Sequence, residues 1–152
     1  MSRRATPAIA MEPQFHGNYE CELNDVDYRI YQYHGVKAGT ADFQVTAMDS
    51  GDAQNSGTIT FQGVAQEDAL ENESVKVVMF GPTWAFNTGG VARDARLECI
   101  YNADATLNGW FITLNPATDW MDLMIHGYAL ETAPDLAKFK IFITREIAAH
   151  TS

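Results

Sequence analysis

Residues 120–130 read WMDLMIHGYAL, and the way this stretch folds decides the class of the whole chain. In a β-strand alternate side chains point to opposite faces. Met121, Leu123, Ile125 and Ala129 then share one face, and Trp120, Met124, His126, Tyr128 and Leu130 share the other. Neither face suits water. A strand with one wet side alternates apolar with polar residues, so the second face needs a cover: another sheet, a bound ligand, or another protein chain.

Outward from this stretch, period-two patterns recur in YECEL (19–23), YRIYQYH (28–34), ADFQVTAM (41–48), GTITFQGV (57–64), SVKVVMF (74–80), ARLECIY (95–101), GWFITL (109–114) and KFKIFITREI (138–147). The separators are turn chemistry: NDVD, HGVKAG, DSGDAQNSG, GPTWAFNTGG, NADATLNG and NPATD. Short strands at such spacing predict an all-β, single-domain chain of about 8–9 strands. It is either an antiparallel, jelly-roll-like β-sandwich or a closed β-barrel. Only QEDALEN (66–72) and APDLAKF (133–139) have the composition for a turn or two of helix. No internal repeat of fixed period stands out.

Faces can be assigned in two strands. Ile59 and Phe61 oppose Thr58, Thr60 and Gln62, while Phe139, Ile141, Ile143 and Ile147 oppose Lys138, Lys140, Thr144 and Glu146. Surplus apolar groups on both faces concentrate in 28–34, 74–80 and 120–130.

With 152 residues and 46% apolar residues, ordinary hydrophobic burial is enough to fold one domain without a metal or disulfide. Residues 1–14 differ from the rest: Pro7 and Pro13, small residues, and Arg3 and Arg4 against Glu12 mark an extended arm ahead of a β-domain over 15–152. The net charge of -10 repels phosphate backbones, which excludes a broad nucleic-acid surface. Cys21 and Cys99 lie far apart on apolar strand faces and read as reduced core thiols. No stretch has the apolar core of a signal peptide or the length of a membrane span. The expected setting is the cytoplasm at synthesis and, from there, a virion.

Chemistry-bearing groups are sparse. The histidines at 16, 34, 126 and 150 show no metal-ligand spacing, and no cofactor motif is present. In a barrel interior His126, with Asp122 and Tyr128 on its face, would form a proton-transfer set. The bland alternative is a satisfied core histidine. Glu20, Glu22, Asp25 and Asp27 are paired acids of the kind found on surfaces. Asp49, Asp52 and Asn55 offer oxygen ligands without the order of a calcium loop. Trp84, Phe86 and Trp110 are candidate platforms for a ligand or partner.

Three functions remain. The favoured one is a non-enzymatic assembly subunit packing against other subunits of a particle, such as a virus or phage capsid, decoration or tail component. Its interface would use Arg3, Arg4, Trp120, Met124, Tyr128 and Leu130. The second is a lipocalin-like barrel whose lining, including Met79, Met124, His126 and Tyr128, holds a small apolar molecule and guides its cyclisation or isomerisation. The third is a carbohydrate-binding β-sandwich using Trp84, Trp110 or Trp120.

Overall fold

The computed structural model describes residues 14–23, 29–50, 52, 60–114 and 123–148, with side chains of the last segment from 125 to 146. Among them are nine strands and no helix: β1 (Phe15–Cys21), β2 (Gly35–Ala38), β3 (Gln44–Thr46), β4 (Phe61–Ala65), β5 (Ser74–Phe86), β6 (Arg96–Cys99), β7 (Phe111–Thr113), β8 (Leu123–Ala129) and β9 (Lys138–Ala148). The all-β reading holds. The predicted arm lies outside the described residues apart from Gln14, whose Nε2 donates to the Pro82 carbonyl (2.7 Å).

The strands hydrogen-bond in the order β1-β3-β2-β4-β5-β9-β8-β6-β7, and β1 also pairs with β5. That second pairing closes β1-β3-β2-β4-β5 into a five-stranded barrel, mixed rather than purely antiparallel because β1 and β3 run parallel. Four further strands extend from β5 outside the barrel. β5 serves both halves, pairing with β1 up to Phe80 and with β9 from Gly81 onward.

Two local readings change. In YRIYQYH the described residues 29–34 form no strand: Tyr33 has φ 65, and the segment is held by an isolated bridge, Ile30 to Ala69, and by backbone bonds of Tyr33 and His34 with Ala65. GPTWAF, read as a loop on the strength of its Gly-Pro, is the second half of β5. Pro82 is tolerated because the ladder there runs to β9 on one side, the setting in which a strand loses least from a missing N–H.

The outer strands retrace the path of the barrel. In the barrel the first strand pairs antiparallel with the fifth and parallel with the third, and the second pairs with the third and fourth. Outside it, the second half of β5 pairs with β9, β6 pairs with β7 and β8, and Asn87 makes a parallel bridge to Phe111 of β7. The correspondence is residue by residue. Val36 faces Gly63 as Leu97 faces Gly127, and Ala65 faces Val77 as Ala129 faces Ile141. The bridge Ile30–Ala69 recurs as Val91–Ala133. Positive φ at Tyr33 and Asn72 recurs at Asp94 and Leu136. Glu67 accepts the Lys76 N–H (2.9 Å) as Glu131 accepts that of Lys140 (2.8 Å).

A repeat is therefore present where the sequence suggested none. Aligned this way, Gly63, Ala65, Glu67, Ala69 and Lys76 recur as Gly127, Ala129, Glu131, Ala133 and Lys140. The glycines recur for one physical reason. A Cβ at Gly63 would meet the Val78 carbonyl oxygen and Val77, and one at Gly127 would meet Ile141 and the Phe142 carbonyl oxygen. The two segments of helical composition are likewise the same turn in the two units.

The cores follow the repeat. The barrel is filled by Cys21, Ile30, Val36, Val45, Ala65, Ala69, Val75 and Val77. A five-stranded barrel has a narrow interior, and these side chains occupy it. At the matching places the outer unit buries Asn87, Val91, Leu97, Phe111, Ala129, Ala133, Phe139 and Ile141. Cys21 and Cys99 are free thiols, one in each unit, and burial raises the pKa of both.

Candidate functional site

The barrel has an apolar outside as well as an apolar inside. Met48, Phe61, Val64 and Val78 face away from its interior and join the core of the outer unit. Phe61 stacks on His126 (4.4 Å between centroids) and meets Phe111 edge-on (6.0 Å). The outer unit grips this face through the segment between β6 and β7. Asn108 Nδ2 donates to the Met48 carbonyl (2.8 Å), Gly35 N–H to the Gly109 carbonyl (2.8 Å), and Tyr101 N–H to the Asp52 carbonyl (2.9 Å).

His34 completes the junction. Its Nδ1 donates to the Asn108 carbonyl (2.7 Å), which leaves Nε2 to accept from Trp110 Nε1 (3.0 Å). Burial lowers its pKa, partly opposed by the Asn108 bond. Phe86 and Trp110, two of the expected platforms, stack on each other here (4.8 Å). Trp84 lies apart from them, with the ammonium groups of Lys138 and Lys140 over its ring (4.9 and 5.2 Å).

His126 is fully buried. Its Nδ1 accepts the Cys99 N–H (2.9 Å), its Nε2 has no hydrogen-bond partner, and burial with the nearby Arg145 charge lowers its pKa to about 3. The β8–β9 bulge breaks the alternation assumed for WMDLMIHGYAL, so His126 turns inward while Tyr128 turns out. Asp122, Trp120, Arg3 and Arg4 lie outside the described residues, as does the Met124 side chain. The proton-transfer set is thus not brought together among the described residues.

The acidic groups hold loops. Lys37 bridges Asp49 (2.6 Å) and Asp52 (2.8 Å); burial pulls its pKa down, and the two carboxylates more than offset this and raise it. An ammonium thus lies between two of the three oxygens considered for calcium, and Asn55 is outside the described residues. Glu22 binds Thr40, and Glu20 accepts from Gln44 (3.0 Å), so both carboxylates pin the β2–β3 hairpin.

The remaining feature is a partly exposed aromatic face that runs from β8 and β9 of the outer unit to β5 and β1 of the barrel. Tyr128 pairs in register with Phe142, which meets Phe80 edge-on (5.1 Å), and Phe80 in turn meets Phe15 (6.1 Å). Phe15 is 66% exposed, Phe80 43% and Leu130 40%. Partial burial and a hydrogen bond to Glu146 raise the Tyr128 pKa. Of the expected interface residues, Tyr128 and Leu130 belong to this side of β8. Phe15, Phe80 and Phe142 were not anticipated. The available signal was Phe142, an aromatic between Lys140 and Thr144 on a strand face otherwise polar.

No family model matches this chain, and no curated protein matches it. Among solved structures, it is similar to the N base of the head fiber gp8.5 of bacteriophage phi29. The TM-score is 0.55 at 13% identity, over 91% of this chain and 100% of that one. At that identity the likeness is one of fold.

Proposed function

We propose that this chain is a non-enzymatic structural subunit of a larger particle, a virion component that packs against neighbouring protein subunits. The likeness of fold to the base of a phage head fiber, running through nearly the whole of this chain, carries the reading. It fits the other properties of the molecule: an aromatic face left partly exposed among the described residues, a barrel filled by its own side chains, and an acidic surface that keeps copies soluble until apolar contact is made. The capsid or another surface protein of the particle is the partner of this reading. The arm, Trp120 and Met124 would add contact area beside Tyr128 and Leu130. Among the described residues no helix is long and apolar enough to cross a membrane.

The test is density-gradient sedimentation of the particles produced with this chain, with the chain quantified in each fraction. The expected result is a fixed ratio of chain to capsid protein through the particle peak. Recovery of the chain only in the soluble fractions contradicts the proposal.

A further inference from the structure

The repeat makes a specific statement about the partly exposed aromatic face. The barrel's outer residues Met48, Phe61, Val64 and Val78 correspond to Leu114, Ile125, Tyr128 and Phe142 of the outer unit. In the barrel this surface is covered by the next unit along the chain. On the outer unit Leu114 and Ile125 are buried, while Tyr128 and Phe142 stay half-exposed, so the equivalent surface is open along the Tyr128–Phe142 edge.

The covering element is also repeated. The segment carrying Asn108 and Gly109, which seats the outer unit on the barrel, corresponds to the β2–β3 hairpin, with Phe43 at the place of Gly109. Both have positive φ, 62 at Phe43 and 82 at Gly109. A phenylalanine in the left-handed region is strained; the turn lets the Phe43 carbonyl accept the Glu20 N–H (2.8 Å), but the ring, 78% exposed, gains little burial from this chain. The hairpin is nevertheless held firmly: Glu22 binds Thr40, and Gln44 accepts the Ala41 N–H (3.1 Å). Strain, exposure and rigid support together mark an element built to insert into something.

We propose that a second copy of this chain docks head to tail, the Phe43 hairpin of one copy seating on the Tyr128–Phe142 face of the next. The contact repeats between chains the one already made between the two units within a chain. Charge supports the pairing. Asp42 stands where Asn108 stands in the internal contact, and exposed Arg96 stands where Gly35 stands, so the equivalent contact brings an acid to a base. Because the two surfaces differ, the association is heterologous and grows to a closed ring or a filament rather than stopping at a two-fold dimer. The inference rests on the repeat and not on the particle reading. A chain that self-associates but never joins a particle keeps this inference and loses that one.

The test is sedimentation velocity of the full chain across a concentration series at about 0.15 M salt, where long-range repulsion between acidic copies is screened. The parent should grow beyond the 16.8 kDa single chain. Phe43→Ser and Phe142→Ser should each weaken association at least tenfold with the circular dichroism of the parent. An equimolar mixture of the two should form complexes that stop at two chains, because one intact hairpin and one intact face remain. If Phe142→Ser unfolds, Arg96→Glu takes its place, and its mixture with Asp42→Arg should recover association that each loses alone. A parent that stays monomeric at its highest soluble concentration, a Phe43→Ser variant that assembles like the parent, or a mixture with no two-chain species overturns the proposal.

Discussion

The barrel and the outer unit follow one path with two different closures. The barrel closes by a true parallel pair, Glu20 with Gln44 and Cys21 with Val45, whereas the outer unit returns to β5 through a single bridge, Asn87 to Phe111. Where closure is continuous, four matched core places hold valine. Where it is not, larger residues fill the space: Leu97 for Val36, Phe111 for Val45, Phe139 for Val75 and Ile141 for Val77. Asn87 replaces Cys21 and ties the seam by donating to the Pro134 and Ala137 carbonyls (3.0 Å each) and accepting the Gly90 N–H (2.8 Å). The difference teaches that one topology can be held by backbone pairing or by side chains, and that the two solutions should fail differently.

The largest effect is expected in the outer core. Phe139→Ala should cost about 3–5 kcal/mol, because a large fully buried ring is lost and a cavity remains. Val75→Ala at the matching barrel site should cost about 2 kcal/mol. Urea unfolding of both variants measures the difference, and equal costs would break the comparison.

Acid comes next. His126 and His34 have folded pKa values below the free value of 6.5, so the unfolded chain takes up protons first as pH falls. Stability is therefore intact above about pH 6.5 and lost progressively toward about pH 3, by an amount on the order of a few kcal/mol. Urea midpoints at pH 7 and 4.5 should show this, with His126→Gln removing most of the slope. A parent equally stable at both values contradicts the burial of these rings as neutral groups.

Asn87→Ala should cost about 2 kcal/mol, since it strands buried backbone groups, and Cys21→Ala about 1 kcal/mol. The smallest effect sharpens the repeat itself. Glu67→Ala and Glu131→Ala each remove one exposed bond to a matching lysine N–H and should cost about 1 kcal/mol or less, in equal measure. A cost at only one of them would show that the turns differ.

The class of this fold was legible in the sequence because period-two burial and turn residues are local signals. Phe139, Ile141 and Ile143 are inside as their alternation requires. What is settled between distant residues was not legible. Pro82 reads as a strand breaker until β5 is seen to have its ladder on one side. Tyr33 gives no sign of the left-handed backbone that ends its strand pattern. The β8–β9 bulge separates His126 from Tyr128, which a period of two places together. The repeat was hidden because β5 is shared between the units, and because the identities that survive are glycine and alanine where strands crowd and Glu and Lys where a turn is capped.

On the outer unit the Tyr128–Phe142 part of the outward apolar surface stays half-exposed, whereas its counterpart in the barrel, Val64 and Val78, is covered. Hydrogen exchange of the full chain, compared between dilute and assembled samples, tests most directly whether a second copy covers it. New protection is expected at residues 39–44 and along β8 and β9, with β4 unchanged because Phe61 and Val64 on its outer face are already covered. Assembly that leaves both regions as exchangeable as in the dilute chain, or that protects only other surfaces, would contradict it.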